Sequence, residues 1–161
     1  MNPGASNNVL ASPLGADELL KLVPHRPPFF FLRRLLEWSP GQRAVSEVEF
    51  DGSEDFFRGH FPGRPVVPGV ILVEAAAQTA GLSLAEQVKD SPSVAGVLPA
   101  LAKVKDFRFR EPVAPNELLT IEAIVTKRLG TSGLVETTIR RNGTRVADGE
   151  LMIALSAAPR P

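Results

Sequence analysis

The sequence predicts an α+β domain in which an antiparallel sheet wraps one long buried helix. Three observations carry that expectation. Residues 66–85 (VVPGVILVEAAAQTAGLSLA) are apolar on nearly every side. The second half of the chain holds a series of runs in which apolar and polar residues alternate. Asn142-Gly143 joins two of these runs, and Asn-Gly in that setting is the strongest short-range hairpin signal.

The elements follow in order. Residues 1–14 (MNPGASNNVLASPL) are rich in Asn, Ser, Pro and Gly, a composition expected to be disordered, so the domain is expected to span 15–158. Asp17 to Val23 reads as a short amphipathic helix, stopped by Pro24, Pro27 and Pro28. Phe29 to Leu36 reads as a strand. Arg43 to Phe50 alternates, with Ala44 and Val48 opposite Glu47 and Glu49. A loop rich in Gly, Pro and Phe fills 51–69. The main helix starts near Pro68 or Gly69, since proline suits a first turn, and runs to about Val88. Strands follow at Ala102–Arg110, Leu119–Thr126, Leu134–Arg141 and Arg145–Leu155. A helix apolar all round must be enclosed by other structure, and the strands supply the enclosure. A transmembrane span over 66–85 is the poorer reading, because Glu74 would sit at mid-bilayer.

Composition narrows the function. The chain has 161 residues, 18 Lys+Arg against 18 Asp+Glu, and no cysteine. One domain of this length buries a sizeable core. Zero net charge gives no global pull toward nucleic acid or an anionic membrane. The missing cysteines exclude disulfides, thiolate metal sites and a Cys nucleophile. Two histidines without a metal-ligand spacing indicate no metal, and no glycine-rich nucleotide loop is present. The first residues lack the basic and apolar regions of a secretory signal, so a cytoplasmic location is expected.

The chemistry concentrates in residues 58–78. His60 lies in Arg58-Gly59-His60-Phe61-Pro62-Gly63-Arg64-Pro65-Val66-Val67-Pro68-Gly69, where glycines and prolines on both sides fix the backbone. A rigid loop carrying one imidazole is how a site positions a general base. Glu74 lies on the apolar helix, where an acid is expensive unless it is paired or protonated. Gln78 follows at i+4 on the same face, placed to hydrogen-bond the carboxyl. Gly69, at the helix start, offers a backbone N–H in the positive potential of the dipole, suited to a developing oxyanion. His25, in Pro24-His25-Arg26-Pro27, reads as structural, since no acid shares its segment.

The stretch from Gly59 through Gly69, continuing through Glu74-Ala75-Ala76-Ala77-Gln78, resembles the active-site stretch of the β-hydroxyacyl-acyl carrier protein dehydratases of the FabZ type. Pro24-His25-Arg26 with Pro28-Phe29, and Phe107-Arg108-Phe109-Arg110 with Pro112-Val113 and Pro115, are similar to two further motifs of that family. The likeness covers about residues 18–155. It implies the hot-dog fold, no cofactor, and a dimer whose two sites each take His60 from one chain and Glu74 from the other. It also implies assembly of three dimers into a hexamer. The implied substrate is a (3R)-hydroxyacyl chain on the 4'-phosphopantetheine arm of acyl carrier protein, dehydrated to the trans-2-enoyl thioester in fatty acid biosynthesis. His60 and Glu74 would be the acid–base pair, the Gly69 N–H would hold the thioester carbonyl, and Gln78 would support Glu74.

The chain also departs from that pattern. Arg33 stands where the family usually has aspartate, the chain has no tyrosine to gate an acyl tunnel, and residues 88–101 differ most. Glu74 is an aspartate in the related FabA-type enzymes, which also isomerise the product, so dehydration without isomerisation is expected. Carrier-protein contact is expected at Lys103, Lys105, Arg108 and Arg110, a local basic cluster facing an acidic partner. Two other functions fit the fold: a thioesterase, which would release free thiol, and a non-catalytic acyl-binding scaffold, against which the joint presence of His60, Glu74 and Gln78 argues.

Overall fold

A computed structural model describes residues 13–85 and 97–157. Expectations for residues 1–12, for 86–96 and for 158 lie outside the described residues. Leu14–Gly15 (β1) pairs with the next strand, so Leu14, expected to be disordered, forms part of the sheet. Helix α1 (Ala16–Leu22) follows, with the Gly15 N–H bonded to Glu18 Oε2 at 2.9 Å. Leu19 and Leu22 are its buried residues. Next come β2 (Leu32–Ser39), β3 (Arg43–Val48), a 3-10 turn at Asp55–Arg58 and α2 (Gly69–Leu84). Four long strands close the chain: β4 (Val97–Phe109), β5 (Leu119–Leu129), β6 (Ser132–Arg141) and β7 (Thr144–Ala157).

All seven strands form one sheet, in the order β1-β2-β3-β5-β6-β7-β4, and every pairing is antiparallel. The sheet wraps α2, as expected. Leu72, Ala75, Ala76, Ala80, Leu82 and Leu84 on α2 are buried against an inward face that includes Leu119, Ile121, Ala123, Ile139 and Leu151. The alanines keep the helix surface low, so it can lie close across β3 and β5. Burying each large aliphatic side chain here contributes about 1.5–3 kcal/mol. Two polar links fix the helix in rotation. Ser46 Oγ and Thr79 Oγ1 are 2.6 Å apart in the core, and Trp38 Nε1 donates to Leu82 O at 2.8 Å.

Some boundaries differ from the expectation, for tertiary reasons. Helix α2 ends at Leu84 rather than near Val88, because Ala85 turns extended and Arg128 of β5 donates to Leu84 O at 2.9 Å. A long-range cap of that kind leaves no local signal. Strand β2 starts at Leu32, not Phe29, because Phe29 and Phe31 spend backbone groups on Gln78 instead of on a neighbouring strand. The hairpin at Asn142-Gly143 is as expected, with φ of 50° and 81°, the left-handed pair of a type I′ turn.

Strand β4 lies at one end of the sheet order, and no described strand pairs with its outer edge. It is 13 residues long and exposes Leu101, Val104 and Phe109. A long apolar edge is a template for further strand pairing unless something covers it.

Candidate active site

The loop before α2 is held by its own backbone. The His60 N–H donates to Phe56 O at 2.9 Å, and the Val66 N–H donates to His60 O at 3.0 Å. Phe61 and Arg64 exchange N–H···O bonds at 3.2 and 3.0 Å across a turn closed by Gly63, whose φ is 75°. The Val67 N–H then donates to Val113 O at 2.8 Å, tying the loop to the segment between β4 and β5. The Phe61 ring stacks on the His60 ring, with centroids 4.1 Å apart.

These bonds fix the imidazole as well as the backbone. His60 Nδ1 lies 2.8 Å from Val66 O. A carbonyl only accepts, so Nδ1 carries the hydrogen and Nε2 carries the lone pair. That tautomer makes Nε2 the basic nitrogen.

His60 and Gly69 line one cleft of about 500 Å³, together with Val66, Val70, Phe109 and Arg110. The Phe109 ring lies over the helix start. A Cβ on Gly69 would meet the ring at 2.9 Å, so glycine is what lets the ring and the backbone approach. No carbonyl or side chain among the described residues accepts from the Gly69 N–H. His60 and Gly69, the residues expected to act as base and oxyanion donor, therefore line the same cleft.

Glu74 is not in the lining of that cleft. Its carboxyl faces the segment before β2. Gln78 Nε2 donates to Glu74 Oε1 at 3.0 Å, the contact expected from their i, i+4 spacing. The same amide also donates to Phe29 O at 3.1 Å, and its Oε1 accepts from the Phe31 N–H at 3.0 Å. His25 Nε2 lies 3.4 Å from the same Glu74 oxygen. The Glu74 side chain is 20% exposed, so it is a half-buried acid with polar partners rather than one enclosed by apolar side chains. Reading His25 as structural missed this contact. The acid lies 49 positions away in sequence, and no local pattern connects the two.

The basic cluster on β4 is partly neutralised. Arg110 meets Asp148 through two bonds, at 2.5 and 3.1 Å, and Lys105 Nζ lies 3.2 Å from Glu150 Oε1. The Arg110 hydrogen bond holds the Asp148 carboxyl below the usual carboxylate range, against a smaller opposing effect of desolvation. Lys103 and Arg108 make no ion pair within 4.0 Å among the described residues, although the Arg108 charge also acts on Asp148 across the strand pair. Arg33 pairs with Glu49, the residue just after β3.

The FabA-like domain model matches residues 23–153. The chain is 40% identical to the 3-hydroxyacyl-[acyl-carrier-protein] dehydratase FabZ of Herpetosiphon aurantiacus over 142 residues, covering 88% of this chain and 98% of that protein. It is 42% identical to the protein of the same name from Roseiflexus sp. (strain RS-1), covering 89% of this chain and 98% of the other. Among solved structures, the dehydratase heterocomplex ApeI:P from Xenorhabdus doucetiae has a similar fold, with a TM-score of 0.65 at 17% identity over 86% of this chain and 90% of that one. The chain belongs to the FabA-like family, among its FabZ-type dehydratases.

Proposed function

We propose that this protein removes water from a (3R)-hydroxyacyl chain carried on the phosphopantetheine arm of acyl carrier protein, giving the trans-2-enoyl thioester in cytoplasmic fatty acid biosynthesis. The carrying observation is the cleft lined by both His60 and Gly69, the residue that opens α2, in a chain about 40% identical to FabZ dehydratases across their length.

The chemistry is a β-elimination. His60 Nε2 removes the proton from C2 of the substrate. Negative charge grows on the thioester oxygen, where the Gly69 N–H and the helix dipole stabilise it. The C2–C3 double bond forms as the C3–O bond breaks, and Glu74 gives a proton to the departing hydroxyl, which leaves as water. No cofactor enters these steps.

The acid comes from a second copy of the chain. His60 opens into the cleft beside Phe109, while Glu74 lies outside the lining of that cleft, beside His25 and Gln78, which supports a site completed by a partner chain. The exposed edge of β4 and Val70, 74% exposed in the first turn of α2, are suited to cover by an identical partner. Two composite sites form in each dimer, and three dimers make the hexamer.

The direct test supplies 3-hydroxyacyl carrier proteins of defined chain length and follows the carrier-bound acyl group by mass. Loss of one water supports the reading. Hydrolytic release of free holo carrier protein without an enoyl product would replace it with thioesterase activity.

A further inference from the structure

His25 has no part in the proton transfers above, yet its ring faces the acid. Its Nε2 lies 3.4 Å from Glu74 Oε1, the oxygen that already accepts from Gln78 Nε2 at 3.0 Å. Two nitrogens thus converge on one carboxyl oxygen. No described residue bonds Oε2, which leaves that atom for substrate.

The segment bearing His25 is fixed at both ends. Arg26 Nη1 donates to Val23 O at 2.9 Å and to His25 O at 2.7 Å. The Phe29 N–H donates to Arg26 O at 2.9 Å. Gln78 then takes Phe29 O and the Phe31 N–H, clamping the segment to the helix that carries Glu74. The His25 ring is held against the acid by the same residue that orients the acid.

The second ring nitrogen indicates the tautomer. His25 Nδ1 is buried and has no hydrogen-bond partner. A hydrogen on Nδ1 would be a buried donor without an acceptor, which costs its full desolvation. With the hydrogen on Nε2, the donor lies on the Glu74 side of the ring, 3.4 Å from Oε1, and only a lone pair goes unmatched. A separation of 3.4 Å is long for an N–H···O bond, but catalytic hydrogen bonds are often long in free enzymes and shorten when substrate binds.

We propose that His25 is a positioning residue for Glu74: its Nε2–H holds Oε1 together with Gln78, so that Oε2 is presented to the departing hydroxyl. The catalytic consequence rests on the dehydratase reading above, whereas the contact itself does not. The test compares the full chain with His25→Leu and His25→Gln. Glutamine keeps a terminal N–H donor near the position of Nε2. His25→Leu is expected to lower kcat by about 10- to 100-fold, the scale of a misplacement of up to about 1 Å, with KM nearly unchanged. His25→Gln is expected to recover most of that loss. Equal losses in both variants that follow their thermal stability would overturn the proposal and leave a packing role. A second measurement does not depend on activity: long-range 1H–15N NMR of the imidazole should show His25 with its hydrogen on Nε2, with shifts that respond to Glu74→Gln. The hydrogen on Nδ1, or no response, would overturn it. Absence of dehydration by the wild-type protein would sink the dehydratase reading, while the NMR result would still decide the His25 contact.

Discussion

Gln78 reaches Glu74 along one face of α2, and the same side chain crosses from the helix to the loop before β2. It is itself nearly fully buried. Gln78→Leu keeps the volume and removes three hydrogen bonds at once. Leaving such groups unpaired costs about 1–3 kcal/mol each when they are buried, and water can reach part of this loop. The variant is expected to lose about 1–3 kcal/mol in denaturant unfolding and to lose turnover beyond what the unfolded fraction explains. Full turnover in the folded variant would show that Glu74 needs no such orientation.

His60→Ala and Glu74→Ala are each expected to lower kcat by about 10²–10⁴-fold, the usual contribution of a general acid or base, and to remain folded. His60 is held by its loop rather than by the core, and Glu74 is partly exposed, so neither truncation opens a large cavity. Mixed dimers of the two variants should regain activity, since one of their two interface sites keeps both groups. Stable heterodimers without recovery, isolated by differential tagging and assayed directly, would place the whole site within one chain.

The outline of the fold, the rigid loop around His60 and the Glu74–Gln78 contact are legible in the sequence, for definable reasons. The helix and strands declare themselves through period and through Asn142-Gly143. The His60 loop declares itself through its glycines and prolines, and Gln78 through i, i+4 spacing from Glu74. What stayed hidden depends on groups distant in sequence. Arg128 ends α2 from β5, Gln78 takes two backbone groups from what reads as a strand, and His25 meets an acid on another element. Local pattern carries no trace of such contacts. The partners of the β4 cluster are hidden in the same way, because counting Lys and Arg along one segment omits Asp148 and Glu150 on the neighbouring strand.

That neutralisation sharpens the carrier-protein prediction. Lys103 and Arg108, which have no ion pair among the described residues, should matter more to an acidic carrier than the paired Lys105 and Arg110. Charge reversal at Lys103 and Arg108 is expected to raise KM for carrier-bound substrate several-fold at low salt. The effect should fade as ionic strength rises, because exposed charges are screened over about 10 Å at 0.1 M. The same variants should act normally on a short pantetheine thioester. An unchanged KM for the carrier substrate would remove this strand from the docking surface.

The Arg110–Asp148 pair makes a prediction about acid stability. Asp148 has its folded-state value lowered, first by the Arg110 hydrogen bond. A lowered carboxyl value adds stability that is present above the unfolded value of about 3.9 and is lost as pH falls through the folded value. Wild type should therefore lose stability more steeply than Asp148→Asn below about pH 4, with both curves flat between pH 6 and 8, where the carboxyl is ionised in either state. Arg110 is exposed and Asp148 half-buried, so solvent screens the pair and added salt should shrink the difference. Parallel curves from pH 6 down to pH 2 would show that the pair contributes nothing in solution.

Gly69→Ala tests the helix start. The added Cβ would lie 2.9 Å from the Phe109 ring, so one of the two must move. Phe109 is 51% exposed and can swing, which predicts a small stability loss. The rest of the strain falls on the backbone at Gly69, whose N–H is proposed to meet the thioester oxygen. A shift of about 1 Å there can cost about 10²-fold in rate, so the loss is expected in kcat and not in the melting temperature. If steric displacement is the cause, Phe109→Leu in the same chain makes room and should restore much of the lost turnover. Measuring wild type, both single variants and the double variant gives the coupling directly. Additive losses would mean that the alanine acts without touching Phe109, and that the ring does not set the position of the oxyanion donor.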